Sequence, residues 1–466
     1  MKTDSEPQGD SLPRDGGSKG LRDFTTGSIT KPLLAFAAPM MIGNIFQNLY
    51  SIVDAMVVGR YVGGGALAGI GVSMNVAMFL TSALIGLNTG AAIVIAQFFG
   101  AKQNARLKSA VSVSIIFLAG LSVLLTVLGI VLAPHLLWLL NTDPEIFDDA
   151  LVYMRIIMCG IPFLSFYNMY VAYLRALGNS RTPLYILIFT VTLSGVLSLY
   201  VVIVLGWGVT GAAASTVFSQ LVAAILSFVY TRRRVPLLQV DKLTFDFALL
   251  RLILRYGAPA AMQMSLVSLA HLFITRLINS FGSAAMAGIT AVSRIDNFAI
   301  MPVYALSMAM ATFVAQNMGA GLEGRAMKGF RNALIFMVAF SVCISALLMV
   351  FAPQLISLFL NQDDISSPEI LRIGQAYLNI MVVFYFLFGV FYSFNGFFRG
   401  VGDAIMAMVF PIISLGVRTV SAYCLVGFAG MGPEALAWSI PIGWGIGSLC
   451  SWLYFRKRLW VGKVAT

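Results

Sequence analysis

Apolar segments long enough to cross a lipid bilayer follow one another almost without interruption from Leu33 to Phe455. A membrane-spanning α-helix needs about 20 predominantly apolar residues, because the hydrocarbon layer is about 30 Å thick and each residue advances the helix by about 1.5 Å. Only 11% of the 466 residues are charged and 59% are hydrophobic, whereas about 25% of residues are charged in a soluble domain. The chain is therefore predicted to be an all-α polytopic membrane protein.

Glycine, proline and clusters of charge divide the apolar sequence into twelve predicted transmembrane helices. They span roughly residues 33–59, 66–98, 107–132, 148–175, 182–205, 209–231, 248–280, 285–317, 327–351, 370–398, 404–427 and 434–456.

The distribution of Lys and Arg among the loops predicts the orientation of these helices. Basic residues cluster after every second helix, with Arg175 and Arg181 assigned to the loop after the fourth, whereas the loops at 141–149 and 361–369 are acidic. Cytoplasmic loops of membrane proteins carry the excess of Lys and Arg. A multi-pass protein of the bacterial or archaeal inner (cytoplasmic) membrane with both termini in the cytoplasm is expected. Since the net charge of +11 is explained by these loops, no nucleic-acid partner is expected.

The second half of the chain repeats the first. The motifs Ala-Pro, ALAGI and QFFGA at 38–101 recur as Ala-Pro, AMAGI and QNMGA at 258–320. Each half holds six helices that start on the same side, so two parallel six-helix lobes are predicted, related by pseudo-twofold symmetry about an axis along the membrane normal. The register of the repeat pairs Pro39 with Pro259, Gly100 with Gly319, and Arg175 with Arg399.

The repeat also predicts the domain organisation. Residues 1–30 are polar and Gly/Ser-rich and are expected to form a disordered cytoplasmic tail, since no apolar stretch of a signal peptide precedes the first helix. The other predicted units are the N-lobe at 31–231, a cytoplasmic interlobe linker at 232–247, the C-lobe at 248–457 and a cytoplasmic C-terminal tail at 458–466.

An aspartate inside the first predicted helix is the leading functional candidate. Asp54 lies in the outer part of that helix, in FQNLYSIVDAMVVG, with no Lys or Arg within five residues. Ionisable groups are costly in hydrocarbon and are functional candidates by default. A lone carboxylate there suits a group that carries a proton or binds a cation; the alternative is an Asp hydrated near the outer surface. Gln47 and Tyr50 of the same helix are cavity or gating candidates.

The second half carries different charges at membrane depth. His271 and Arg276 stand in the seventh helix, where the first half has its aspartate; a hydrogen-bonded packing histidine and an arginine that reaches the interface are the alternatives to a cavity role. Arg294 and Asp296 are expected to pair with each other or to line the cavity. Arg418, alone in the eleventh helix, is expected to face a cavity or a carboxylate.

Matched prolines and absent motifs complete the prediction. Pro39 and Pro259 can kink the first helix of each half and are hinge candidates. The sequence has no Walker A motif, no Cys/His cluster with metal-ligand spacing and no G-x-S-x-G. The chain is therefore not expected to be an enzyme or to hold a metal or cofactor, and an ion gradient is the expected energy source.

Several motifs in order resemble the multidrug and toxic compound extrusion (MATE) family, in its prokaryotic, DinF-like branch. They include FQNLYSIVDAMVVGR (46–60), ALAGIGVS (66–73), LRALGNSRTP (174–183) and SRIDNFAIMP (293–302). The resemblance covers nearly all of residues 30–457. It implies a V-shaped pair of six-helix lobes that exports organic compounds against an inward flow of H+ or Na+.

The same resemblance implies the residues of a coupling site. Asp54 matches the aspartate of the first helix that binds the coupling cation, and Thr216 matches a further site residue. Where the family often has an Asn and an Asp in the fifth helix, this chain has Ser194 and Ser198, so the partner carboxylate is missing. Because hard cations prefer charged oxygen ligands, H+ is favoured over Na+. Two alternatives are a repurposed N-lobe site and coupling through the second lobe.

The expected function is a secondary active exporter of small amphipathic organic compounds, cationic ones among them, that works in the bilayer as a monomer by alternating access of its lobes. Two other classes stay open. A lipid-linked precursor flippase would need a cationic central cavity, to which Arg276, Arg294 and Arg418 would contribute. A non-transporting membrane scaffold or receptor is the third.

Overall fold

A computed structural model of the chain describes residues 20–140, 142–240, 242–357 and 367–464. Within these ranges, the side chains at 50–55, 57, 64, 66–68, 75, 269, 272 and 367 lie outside the description. The described part forms thirteen α-helices, which are α1 (Thr30–Tyr61), α2 (Gly64–Gly100), α3 (Asn104–Leu139), α4 (Pro144–Ala176), α5 (Arg181–Leu199), α6 (Gly208–Arg234), α7 (Phe247–Asn279), α8 (Ser283–Gly319), α9 (Glu323–Ser357), α10 (Ser367–Val383), α11 (Tyr385–Val401), α12 (Ala404–Gly427) and α13 (Glu434–Arg456).

The tenth predicted helix is in fact two helices. α10 and α11 together cover it and are bent by 53° at the break between them. Taken as one bent span, this pair is apolar and long enough to cross a bilayer, as are nine other helices of the described chain. α1 and α13 are 32 and 23 residues long, which also suffices at about 1.5 Å per residue. The prediction of twelve spans in an all-α membrane protein is confirmed, with one span broken.

The first helix of each lobe divides its contacts between the two lobes. Leu33 and Phe36, near the start of α1, are buried with side chains of α8, α9 and α11, which belong to the C-lobe. Ile253 and Tyr256, near the start of α7, are buried with α2, α3 and α4 of the N-lobe. Val58, near the end of α1, packs within the N-lobe. The predicted lobes therefore exchange the first halves of α1 and α7.

The lobes approach each other most closely where the QFFGA and QNMGA motifs meet. We call this the basic end of the bundle, because α2, α4, α6 and α8 end there, beside the basic loops. A Cβ on Gly100 would lie 1.8 Å from the carbonyl oxygen of Gln316, and one on Gly319 would lie 2.0 Å from that of Gln97. Only glycine allows backbones this close, so the repeated motif is an interlobe contact.

The two glutamines of these motifs also cross the interface with their side chains. The Gln97 amide donates to the carbonyl oxygen of Gly400 in α11 at 3.0 Å. The Gln316 amide donates to that of Ala176, the last residue of α4, at 2.8 Å. Both side chains are fully buried. Each lobe thus donates one buried hydrogen bond to the other, and pseudo-twofold symmetry relates the two bonds.

The segment 20–29 packs between the lobes and differs here from the predicted disordered tail; residues 1–19 lie outside the described residues. Phe24 is 1% exposed, with its ring centroid 5.3 Å from that of Phe36 and 5.7 Å from that of Phe313. Its N–H donates to Gln316 Oε1 at 2.9 Å, and its carbonyl accepts from Arg325 Nε at 3.0 Å. These partners satisfy the backbone polar groups of Phe24, so burying this residue leaves no unpaired N–H or carbonyl. The Phe24 ring therefore anchors the polar segment between the lobes.

Candidate functional site

The predicted coupling residues of the N-lobe lie on helices that pack together, α1, α5 and α6. Ser194 and Ser198 of α5 are 4% and 1% exposed, and the Ser198 hydroxyl has no hydrogen-bond partner among the described residues. The Thr216 hydroxyl donates to the carbonyl oxygen of Ala212 at 3.1 Å. A buried hydroxyl without a partner is rare, so Ser198 stands out among the predicted coupling residues, and its role stays a prediction.

The remaining predictions for α1 concern its middle and outer parts. Asp54 and Tyr50 lie in α1, but their side chains are outside the described residues, so their roles stay predictions. Gln47 is exposed. The next residue, Asn48, lies near the C-lobe, with its amide nitrogen 3.8 Å from Met301 Sδ in α8. This part of α1 thus faces the other lobe.

The C-lobe holds a cluster of polar side chains around Asp296. The Asp296 carboxylate accepts a hydrogen bond from the Tyr385 hydroxyl at 2.7 Å. Arg418 of α12 interacts electrostatically with this carboxylate and with Tyr377 of α10. Tyr385 is the first residue of α11, directly after the bend. The broken span therefore places two tyrosines beside a carboxylate and a guanidinium.

The structure brings some of the predicted C-lobe residues together and separates others. Arg294 is exposed and makes no salt bridge with Asp296 in the described part of the chain, because residues two apart on a helix point to different faces. His271 is exposed and interacts electrostatically with Arg418. Arg276 is exposed in the last turn of α7. Arg418 interacts electrostatically with the Asp296 carboxylate without forming a salt bridge in the described part of the chain, so its role stays a prediction, and the expected Arg294 pair is not formed.

The two hinge candidates lie inside unbroken helices. Pro39 is within α1 and Pro259 within α7. Each occupies the part of its helix that packs against the other lobe. Their role as hinges stays a prediction, and their position is consistent with it because these helices join the lobes.

A cavity between the lobes is lined by two arginines, one of which the sequence pattern had assigned to a loop. Its volume is about 140 Å³, and residues of α1, α2, α4, α8 and α11 line it. Arg175 was predicted to lie in a cytoplasmic loop, but it belongs to the last turn of α4 and lines this cavity. Arg399 enters from the last turn of α11, and Asn88 from α2. The signal for this site was the pairing of Arg175 with Arg399 in the repeat.

Two six-helix lobes that exchange helices around a central cleft, with polar clusters inside their spans, define a polytopic transporter. The MatE family model matches residues 39–201 and 259–424. The chain belongs to the MATE family of multidrug efflux transporters, which confirms the resemblance seen in the motifs; its assignment to the DinF-like branch stays a prediction.

Individual relatives are similar along almost the whole chain. The probable multidrug resistance protein YpnP of Bacillus subtilis is 31% identical over 94% of this chain and 97% of its own length. The probable multidrug resistance protein NorM of Thermotoga maritima is 27% identical over 87% of each chain. A solved structure of a multidrug resistance MATE family transporter in an outward-facing conformation has a TM-score of 0.87 at 24% identity, covering 96% of this chain and 99% of that one. These relatives are transporters, not enzymes.

Proposed function

We propose that the chain is a secondary active antiporter that exports small amphipathic organic compounds, cationic ones among them, against an inward flow of ions. The observation that carries the proposal is the junction of the lobes at the basic end, where Gln97 donates a hydrogen bond to Gly400 and Gln316 donates one to Ala176. Alternating access moves one half of a transporter against the other, and such a junction must open for the cleft to face the other side. The multidrug resistance proteins among the relatives support the substrate class.

The coupling ion in this proposal is H+, and Na+ is the less favoured alternative. Asp54 carries the proton, and Ser194, Ser198 and Thr216 are the hydroxyl residues assigned to the same site. The unpaired hydroxyl of Ser198 supports this, as does the preference of Na+ for several oxygen ligands, which a single carboxylate does not supply. Asp296 supports the alternative of coupling in the second lobe, because it is a carboxylate within a span. No cofactor is needed in either case.

Efflux of a fluorescent amphipathic cation such as ethidium from proteoliposomes tests the proposal. A pH gradient and a Na+ gradient are imposed separately, for the wild type and for Asp54→Asn, Asp296→Asn and Asp148→Asn. Asp148 is an exposed carboxylate of α4 and serves as the matched control. We expect the pH gradient to drive export, Asp54→Asn to reduce it at least about tenfold, the range of a lost charge-assisted interaction, and Asp148→Asn to leave it unchanged.

Other outcomes separate the alternatives. Loss in Asp296→Asn with full activity in Asp54→Asn would place coupling in the second lobe. Export that ignores both gradients in the wild type would contradict secondary active transport altogether.

The orientation and assembly of the transporter are part of the proposal. We infer a monomer of the inner membrane with both termini in the cytoplasm, since the basic loops support this orientation. Labelling of single cysteines at Lys102 and Asp143, at opposite ends of the bundle, with a membrane-impermeant maleimide in intact cells checks it. Labelling at position 102 but not at position 143 would show that the orientation is the opposite of the one inferred.

A flippase for lipid-linked precursors is the second candidate, favoured by one observation. Arg175 and Arg399 give the central cavity two positive charges, as a diphosphate cargo would require. Scrambling of a labelled polyprenyl-diphosphate lipid in proteoliposomes, with no drug efflux, would favour it over the antiporter.

A further inference from the structure

We propose that the cavity between the lobes binds an anionic group, a carboxylate or a phosphate, through Arg175, Arg399 and Asn88. The inference deepens the proposed export function, on which it rests for the idea that the anionic group belongs to an organic substrate. It adds anionic and zwitterionic amphiphiles to the compounds that this transporter accepts.

The cavity is built by both lobes from paired positions. The register that aligns Gly100 with Gly319 also aligns Asn88 with Ser307, and both residues line the cavity. Arg175 of the N-lobe and Arg399 of the C-lobe face it from the last turns of α4 and α11. A ligand held by both arginines would therefore contact both lobes at once.

The positive charge of the cavity has no carboxylate to balance it among the described residues that line it. The titratable neighbour of Arg175 is Tyr167, and those of Arg399 are Tyr304 and Tyr392. One η nitrogen of Arg399 donates to the neutral Gln263 amide at 3.0 Å. Shielded charges without a counter-charge are costly, and an anion between the two arginines would remove much of that cost.

Three of the residues that line the cavity carry polar atoms that no described residue satisfies. The Nε atoms of Arg175 and Arg399 are both shielded from solvent and have no hydrogen-bond partner in the described chain. Asn88 is 3% exposed, and neither its amide nitrogen nor its amide oxygen has a partner there. Buried polar atoms are almost always paired. The guanidinium and amide groups can donate to an anion, and the Asn88 oxygen can accept from a hydroxyl or amine beside it.

The rest of the wall suits the organic part of such a ligand. Met40, Ile85, Val171 and Met308 contribute apolar surface to the cavity. A volume of about 140 Å³ holds a carboxylate or phosphate with a small scaffold, and a larger body would extend into the cleft. Apolar walls with a few convergent polar groups are typical of small-molecule sites.

The site lies beside the junction of the lobes, so the binding of an anion would affect how firmly the two lobes are held together there. Arg175 precedes Ala176, which accepts the bond from Gln316, and Arg399 precedes Gly400, which accepts the bond from Gln97. Without an anion, two like charges from opposite lobes oppose the junction. An anion between them would attract both arginines and stabilise the state in which the basic end is closed.

Direct binding to the purified full-length protein tests the site without any gradient. Dansylglycine, a fluorescent amphipathic carboxylate, is compared with its uncharged methyl ester, and inorganic phosphate is added as a competitor. We expect the acid to bind about tenfold more tightly than the ester or better, as charge-assisted hydrogen bonds allow. Arg175→Gln and Arg399→Gln should each remove this preference. Arg181→Gln, a change at an exposed arginine of the same end, should retain it.

A second variant covers the case in which an arginine variant does not fold. Asn88→Asp places a negative charge in the cavity beside both arginines and should abolish the preference for the acid while thermal unfolding and gel filtration stay normal. Displacement of dansylglycine by phosphate would identify the anionic group alone as the ligand, and a preference for the acid without displacement would identify an organic anion. Both support the site.

The proposal is overturned if acid and ester bind equally to the wild type, or if folded Arg175→Gln and Asn88→Asp keep the preference. Failure of the export function is distinguishable, because it would leave equilibrium binding intact. Conversely, gradient-driven export of ethidium without any preference for binding the acid would refute the anion site and support the proposed exporter.

Discussion

At the basic end the two lobes meet through matched residues, whereas inside the spans their polar clusters are different. Gly100 and Gly319 each lie against a glutamine backbone of the other lobe. By contrast, α5 of the N-lobe presents Ser194 and Ser198, while the C-lobe presents Asp296 with Tyr385 and Arg418. Residues that hold the lobes together have kept the symmetry of the repeat, and residues suited to ions have lost it. In the proposed antiporter, the symmetric contacts serve the movement of the lobes, and one asymmetric cluster suffices for the ion.

The largest effect is expected from breaking the symmetric contact. In Gly100→Ala the new Cβ would lie 1.8 Å from the carbonyl oxygen of Gln316, and backbone on both sides cannot yield as a side chain does. We expect a loss of about 3 kcal/mol or more in the stability of the closed basic end, measured as increased distances between spin labels placed across that end.

Gly319→Ala should behave alike, since pseudo-twofold symmetry relates the two positions. Gly120→Ala is the control, because its Cβ would meet nothing within 4 Å and alanine favours the helix by about 1 kcal/mol. Unchanged label distances in both interface variants would refute the tight junction.

A smaller effect is expected from the N-terminal segment, which packs against the same junction. Phe24→Ala removes a buried ring from between Phe36 and Phe313 and should cost about 2–3 kcal/mol, seen as faster hydrogen exchange over residues 20–29. The control is Phe245→Ala in the interlobe linker, where the ring is 54% exposed and the cost should be below about 0.5 kcal/mol. Equal exchange rates in the wild type and Phe24→Ala would show that this segment does not depend on its aromatic contact.

How far the sequence predicted these features depends on the kind of signal. The number of spans and the two lobes followed from hydrophobic length and from the repeat, which are long-range patterns that packing must respect. The break before Tyr385 carries no proline or glycine at its centre, Phe384, so composition gave no warning of it. Likewise Arg175, a residue of a basic motif beside a helix end, was assigned to a loop, because charge alone cannot tell a solvated arginine from one that faces a cavity.

The hydrogen bond between Tyr385 and Asp296 in the C-lobe allows a third test of the difference between the two lobes. Tyr385→Phe deletes the hydroxyl that donates to Asp296 at 2.7 Å, and hydrogen bonds to charged groups contribute about 1.5–3 kcal/mol. Thermal unfolding should show a loss of that order. Tyr423→Phe removes an exposed hydroxyl that donates to the Phe273 carbonyl at 3.1 Å and should cost about 1 kcal/mol or less. Equal losses would mean that the C-lobe carboxylate is not specifically held.

The smallest effect on stability is expected in the N-lobe, and there it separates structure from function. Ser198 buries a hydroxyl with no partner among the described residues, so Ser198→Ala should leave the free energy of unfolding unchanged or raise it by up to about 1 kcal/mol. If that hydroxyl serves the coupling ion, the same variant should lower gradient-driven efflux. Thr216→Val is the variant for comparison, because the Thr216 hydroxyl already donates a hydrogen bond to Ala212. Its removal should therefore lower the free energy of unfolding more than Ser198→Ala does. A Ser198→Ala protein that is destabilised would show that the hydroxyl has a structural partner. If that protein also transported normally, the Ser198 hydroxyl would have no part in ion coupling.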